Sequence, residues 1–164
     1  MAKANLLVTF DPTHAESAKK EIESLLKEVK VKADVLSCEE GLAEVSVGDA
    51  RKAVLALRKL KKDKFEHTFH WTPIDHWCKA TIPEMQKVIK GLAKDINVKE
   101  KWKMDLGRRK TKEHERDLII KLTDVVDRPK VDLSSPDKII KVEIIGDKAG
   151  IALLKKDELL NVVK

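Results

Sequence analysis

Tyrosine is absent from this 164-residue chain, glutamine occurs once, at Gln86, and cysteine only twice, at Cys38 and Cys78. The two cysteines stand far apart with no CxxC pair. That excludes a disulfide scaffold and a zinc framework and leaves two ordinary reduced thiols. The six glycines, Gly41, Gly48, Gly91, Gly107, Gly146 and Gly150, are scattered singly, so neither a dinucleotide fingerprint nor a P-loop is present to cradle phosphates, and no nucleotide cofactor is expected. No apolar run approaches the length of a membrane span, and a strand-like segment follows Met1 to Lys3 at once, leaving no room for a signal peptide. A soluble, cytoplasmic protein with no membrane partner is therefore expected.

What the chain has in quantity is charge. Lys and Arg total 34 against 28 Asp and Glu, a formal net charge of +6 with a sequence pI near 9.2. An anionic partner such as nucleic acid is the first class to consider, with simple solubility as the bland alternative. Charged residues make up 38% of the chain while glutamine, cysteine and methionine are scarce, which resembles a thermophile's composition.

The apolar pattern divides at Pro73. Ala4 to Phe10 is a short apolar run punctuated by Asp11-Pro12-Thr13, as for a central buried strand that gives way to a helix. Ala15, Ala18, Ile22, Leu25, Leu26 and Val29 then recur at helical spacing. ADVLSC and LAEVSV flank Gly41 as a β-hairpin, Asp49 caps a second helix, and FEHTFHW from Phe65 to Trp71 alternates as a last strand. The order β-α-β-β-α-β is ferredoxin-like. Beyond the break, Thr81-Ile82-Pro83-Glu84 opens a helix as a capping box, with Ile82, Met85, Ile89, Leu92 and Ile96 on one face. Trp102, Met104 and Leu106 alternate with Lys101, Lys103 and Asp105 on a strand that points into Arg108-Arg109-Lys110. Thr111 is a plausible cap for a helix burying Leu118, Leu122, Val125 and Val126, with Glu113 and Glu115 near its positive end. DRPKVDLSSPDK reads as a loop with at most a short strand, and two apolar strands, IIKVEII and AGIALL, close a second sheet. The expected fold class is thus α/β of the α+β kind, with domains at residues 1–75 and 76–164.

A search for catalytic constellations comes back empty. His14-Ala15-Glu16 has half of a zinc-deaminase signature, but the required PCxxC is missing, and His114-Glu115 has no second histidine on its helical face. The cluster His67, His70, Trp71, His76 and Trp77 has no carboxylate at ligand spacing, so packing is favoured over a metal or substrate site. No metal, cofactor or small-molecule substrate is expected, and the protein is expected not to be an enzyme.

What remains is LGRRKTKEHERD, which packs Arg108, Arg109, Lys110 and Lys112 into five positions. At a strand-to-helix junction, side-chain cations, backbone N–H groups and the helix's positive end converge on one anion, and an RNA phosphate suits it. A basic run is often just a solvated face. Here Lys99, Lys101 and Lys103 on the preceding strand and Arg116 on the following helix tip the reading toward RNA. A second run, Arg58-Lys59-Leu60-Lys61-Lys62, is more simply a complement to a helix C-terminus.

MDLGRRKTKEHERDLIIKLTDVV and VDLSSPDKIIKVEIIGDKAGIAL resemble the THUMP domain, a small α/β RNA-binding module of tRNA-modifying systems, here preceded by the ferredoxin-like domain that usually accompanies it. The likeness spans nearly the whole chain, is most specific from about Lys101 to Leu154, and is nearest to the stand-alone archaeal and eukaryotic THUMP proteins that assist cytidine acetylation of tRNA. The resemblance implies a non-catalytic adaptor, with nothing fused beyond Lys164, that holds the tRNA acceptor end while a separate RNA acetyltransferase forms N4-acetylcytidine. It implies that Arg108 and Arg109 help grip the tRNA, and that Glu115-Arg116-Asp117, Asp132-Leu133 and Pro136-Asp137 are family signatures, the last explicable by turn chemistry. The residues expected to bind RNA are Lys101, Lys103, Arg108, Arg109, Lys110, Lys112 and Arg116. The alternative is a protein-interaction scaffold of an RNA-processing complex without direct RNA contact.

Overall fold

The computed structural model describes residues 3–109 and 115–162. The chain divides into two compact units, Met1–Ile74 together with Asp157–Lys164, and Asp75–Lys156. In the first, β1 (Leu6–Phe10), α1 (Ala15–Glu28), β2 (Ala33–Glu39), β3 (Leu42–Val47), α2 (Ala50–Leu57) and β4 (Thr68–Pro73) follow in the ferredoxin-like order. The sheet order is β2-β3-β1-β4, antiparallel throughout, so the opening apolar run is central, as its lack of alternation requires. A further short strand, β9 (Leu160–Asn161), adds to the outer side of β4. The last residues of the chain thus return to the first sheet, whereas hydrophobic patterning had grouped residues 76–164 together.

Local chemistry sets the element boundaries. Asp11 accepts the Thr13 N–H at 3.0 Å to open a 3-10 turn, Pro12–His14, that leads into α1. Ala18, Ile22, Leu25 and Leu26 of α1 are buried, as are Ala50, Ala53, Val54 and Leu57 of α2. Asp49 caps α2 by accepting the Lys52 N–H at 3.1 Å, and Gly41 takes φ 82° in the hairpin turn, a conformation that suits glycine. The strand expected from Phe65 begins only at Thr68. The Glu21 carboxylate accepts the N–H groups of Glu66, His67 and Thr68 at 2.8 to 3.2 Å, so Glu66 and His67 give their N–H groups to a side chain and the ladder starts at Thr68, paired with Phe10. Trp71 is fully buried, donates its indole N–H to Thr68 Oγ1 at 3.2 Å, and meets Phe65 edge to face.

The second unit contains β5 (His76–Lys79), α3 (Ile82–Ala93), β6 (Trp102–Arg109), α4 (Glu115–Thr123), β7 (Lys138–Ile145) and β8 (Lys148–Leu154). Its sheet order is β5-β8-β7-β6, with β6 and β7 parallel and the other pairs antiparallel. Met85, Ile89 and Ala93 of α3 and Leu118 and Leu122 of α4 pack with Ile140, Val142, Ile144 and Ile151 of the sheet. Burying the Leu, Ile and Val side chains among these gives about 2 kcal/mol each in area terms, before entropy. Thr81 occupies the N-cap of α3, yet its side chain makes no capping bond, so the cap position is as expected and the capping box is not. Among the described residues no helix is long and apolar enough to cross a membrane.

Candidate nucleic-acid interface

Of the basic residues, Lys103, Arg108 and Arg109 sit on β6, an edge strand of the second sheet. Sequence patterning placed Arg108 and Arg109 in a loop, but they are the last two residues of the strand, in register with Ile144 and Ile145 of β7. The Arg109 carbonyl accepts the Gly146 N–H at 2.8 Å. Consecutive strand residues point to opposite faces. Arg108, exposed, shares the parity of buried Trp102 and Leu106, and Arg109, half-buried, shares that of Lys103. The pair therefore addresses both sides of the strand end. Lys103 is half-buried on β6, and Lys101, exposed, immediately precedes that strand, its ammonium 3.6 Å from Asp132. Arg116 is exposed on the first described turn of α4. Lys110, Thr111, Lys112, Glu113 and His114, with the proposed convergence on a helix N-terminus, lie outside the described residues.

Beside the arginines lies a charged trio that sequence reasoning missed. Lys141 reaches Asp105 at 3.1 Å and Glu143 at 3.0 Å, with only 13% of its side chain exposed. Burial by itself would lower the Lys141 ammonium, but Glu143 and Asp105 outweigh it and the net shift is upward. The register pairs Asp105 with Lys141 and Gly107 with Glu143, and a Cβ on Gly107 would run into the Glu143 carboxylate. The available signal was Lys141 and Glu143 inside the strand KIIKVEII, opposite Asp105 and Gly107, legible only once the register was known.

Among the described residues the histidines do not come together as a metal site. The His67 ring lies against that of His14, 4.7 Å between centroids, while His70 and His76 are exposed. Among the described residues no group of three or more His, Cys, Asp or Glu could hold a metal ion. Cys38 and Cys78 are free and half-buried, and desolvation pushes both thiols up, away from the reactive thiolate. The second basic run begins just after α2, where Arg58 Nη1 donates to the Leu159 carbonyl at 3.1 Å.

Several solved structures share this fold. TrmN from Thermus thermophilus matches with a TM-score of 0.57 at 15% identity, over 90% of this chain and 44% of its own. SMU.472, described as a methyltransferase and complexed with SAH, matches with a TM-score of 0.60 at 12% identity, over 93% and 42%. A 4-thiouridine synthetase in complex with RNA and ATP matches with a TM-score of 0.50 at 11% identity, over 98% and 42%. The chain thus spans under half the length of these proteins. Among curated proteins none matches. The expectation that the chain is not an enzyme, drawn from its lack of catalytic motifs, is corrected here: the same fold occurs in methyltransferase chains, so an empty motif search does not make it non-catalytic. At such identities the likeness carries the fold alone. The family signal comes from the second unit, where residues 79–154 match the THUMP domain, and the chain carries a THUMP domain over that stretch.

Proposed function

We propose that the chain binds tRNA through its THUMP domain and holds it for base modification. The observation that carries this reading is positional. Every cation assigned to the grip, from Lys101 to Arg116, lies inside residues 79–154, and Arg108 and Arg109 end an edge strand of that domain. An edge strand with cations on both sides offers positive charge to a phosphate backbone without reading bases, so binding is sequence-tolerant and salt-sensitive. A relative of the same fold was solved bound to RNA, which supports an RNA partner. In finer detail, the chain presents the acceptor end and its single-stranded 3′ tail, and the partner is a separate RNA cytidine acetyltransferase, as the sequence resemblance implies.

The test is a filter-binding titration of intact tRNA and of the same tRNA lacking its 3′ tail, at low and moderate salt, with the wild-type chain and with Arg108→Ala/Arg109→Ala. The double variant is expected to bind about tenfold or more weakly, with a salt slope shallower by about two. Intact tRNA is expected to bind more tightly than the tailless form. Unchanged affinity of the double variant would remove the strand end from the interface. Equal, steeply salt-dependent binding of the two RNAs would leave only a generic basic surface.

A further inference from the structure

The loop from 128 to 137 plays no part in the arginine grip, yet it is more firmly built than turn chemistry alone requires. The Trp102 N–H donates to the Lys130 carbonyl and the Asp132 N–H to the Trp102 carbonyl, each at 2.9 Å. The Trp102 indole N–H donates to the Arg128 carbonyl at 3.1 Å, and Arg128 Nε donates to the Ile96 carbonyl. The Asp137 N–H donates to the Lys101 carbonyl at 2.7 Å, and the Lys101 N–H to Asp137 Oδ2 at 2.9 Å. Inside the loop, Asp132 Oδ1 accepts the N–H groups of Ser134 and Ser135 at 2.9 and 3.0 Å. Loop backbone is thus fastened to the start of β6, and Pro136 is buried.

This frame holds two apolar side chains outward, Val131 at 59% exposure and Leu133 at 74%. Scattered surface apolar residues need no explanation. These two flank one anchored aspartate, and their surroundings are cationic. The segments 97–103 and 128–138 carry six Lys and Arg against three carboxylates, Glu100, Asp132 and Asp137. Glu100 pairs with Lys138 at 3.2 Å and Asp132 with Lys101 at 3.6 Å, and the positive balance is left to the other cations. A stiff apolar tip in a positive rim fits a polyanion that also has apolar faces to offer, which is nucleic acid, and a leucine wedge against a base is a known way to use such a tip.

We propose that Leu133, with Val131 beside it, packs on the face of an unstacked base or helix end of a bound RNA, while Lys99 and Lys130 hold flanking phosphates. This rests on the reading that the chain binds RNA. It adds a second contact, because Asp132, next to Leu133, is fastened to the first residue of β6 and Arg108 lies about 20 Å further along that strand. The loop pays little ordering entropy on binding, since its backbone is already fixed.

The probe is a short RNA hairpin with a four-nucleotide 3′ tail, followed by fluorescence anisotropy across a salt series. Leu133→Ala is expected to weaken hairpin binding about fivefold at every salt with an unchanged salt slope, because no phosphate contact is lost. Leu133→Met is expected to bind like the wild type. Leu133 is exposed, so a matching thermal midpoint verifies that the fold is intact. If Leu133→Ala binds like wild type while Arg108→Ala/Arg109→Ala is weakened, the proposal is overturned, RNA binding stands, and the apolar pair is left to a protein partner. If neither variant is weakened, the RNA reading and the proposal fall together.

Discussion

At the residue scale, Gly107 is where the fold and the candidate interface meet. It precedes Arg108 directly, and the Glu143 carboxylate occupies the space a side chain would need. Lys141 restrains that carboxylate, so Gly107→Ala must either break the 3.0 Å pair or shift the strand end that carries the arginines. Either route costs about 1–3 kcal/mol. Glu143→Ala alone also destabilises, since Lys141 loses a partner. The combination tests the geometry: Gly107→Ala added to Glu143→Ala should cost little more than Glu143→Ala, a non-additivity read from urea unfolding of the three variants. Simple additivity would mean that the carboxylate and the missing side chain do not compete. Lys141 also carries an expectation for pH. Its folded value is raised, so its contribution is complete below the ordinary lysine range and is lost only as pH rises through the raised value.

At the element scale, the loop after α4 makes the clearest pH prediction. The N–H groups of Ser135 and Ser134 hold the Asp132 carboxyl below the usual carboxylate range. A depressed folded value means stability that is present above the unfolded value and lost as pH falls through the folded one. The Ser134 and Ser135 amide resonances should therefore titrate with a midpoint below that of an ordinary aspartate, and Asp132→Asn should abolish the transition. A midpoint at the ordinary value would show that the turn does not depend on the charge. Periodic elements such as α1, with its heptad-like run from Ala15 to Val29, were legible in the sequence because their apolar spacing is local. The start of β4 was not, because it depends on Glu21, which is 45 or more residues away. β5 was missed for a similar reason: HWCK has no apolar alternation of its own and becomes a strand by pairing with β8. The arginine pair was legible as charge, but its place on the strand rather than in the loop was set by pairing with β7.

At the scale of the whole molecule, the THUMP match at 79–154 falls almost entirely within the unit Asp75–Lys156, and the fold likeness to solved structures extends over nine-tenths or more of the chain. The ferredoxin-like unit is therefore part of the shared architecture although the domain match does not reach it. That unit is closed by both ends of the chain. His70 and Trp71 pair with Asn161 and Leu160, and the Val162 N–H donates to the Phe69 carbonyl at 2.7 Å while its side chain is buried in the first core. Arg51 meets Glu158 at 3.3 Å in the same unit. No pattern in DELLNVV distinguishes a strand of one sheet from a strand of the other, because two or three apolar residues suit either. The consequence is specific. A chain truncated after Lys156 should lose about 3 kcal/mol from the first unit, the sum of one buried valine and a few hydrogen bonds. Hydrogen exchange should quicken in β1 and β4, and protection in β7 and β8 should stay as it was, since the second unit keeps every strand pair it has. Unchanged protection in β1 and β4 would show that the returning segment adds nothing to the first unit. Equal loss in all four strands would show instead that the two units open as one, and the strand end that carries the arginines would then depend on the ferredoxin-like unit for its stability.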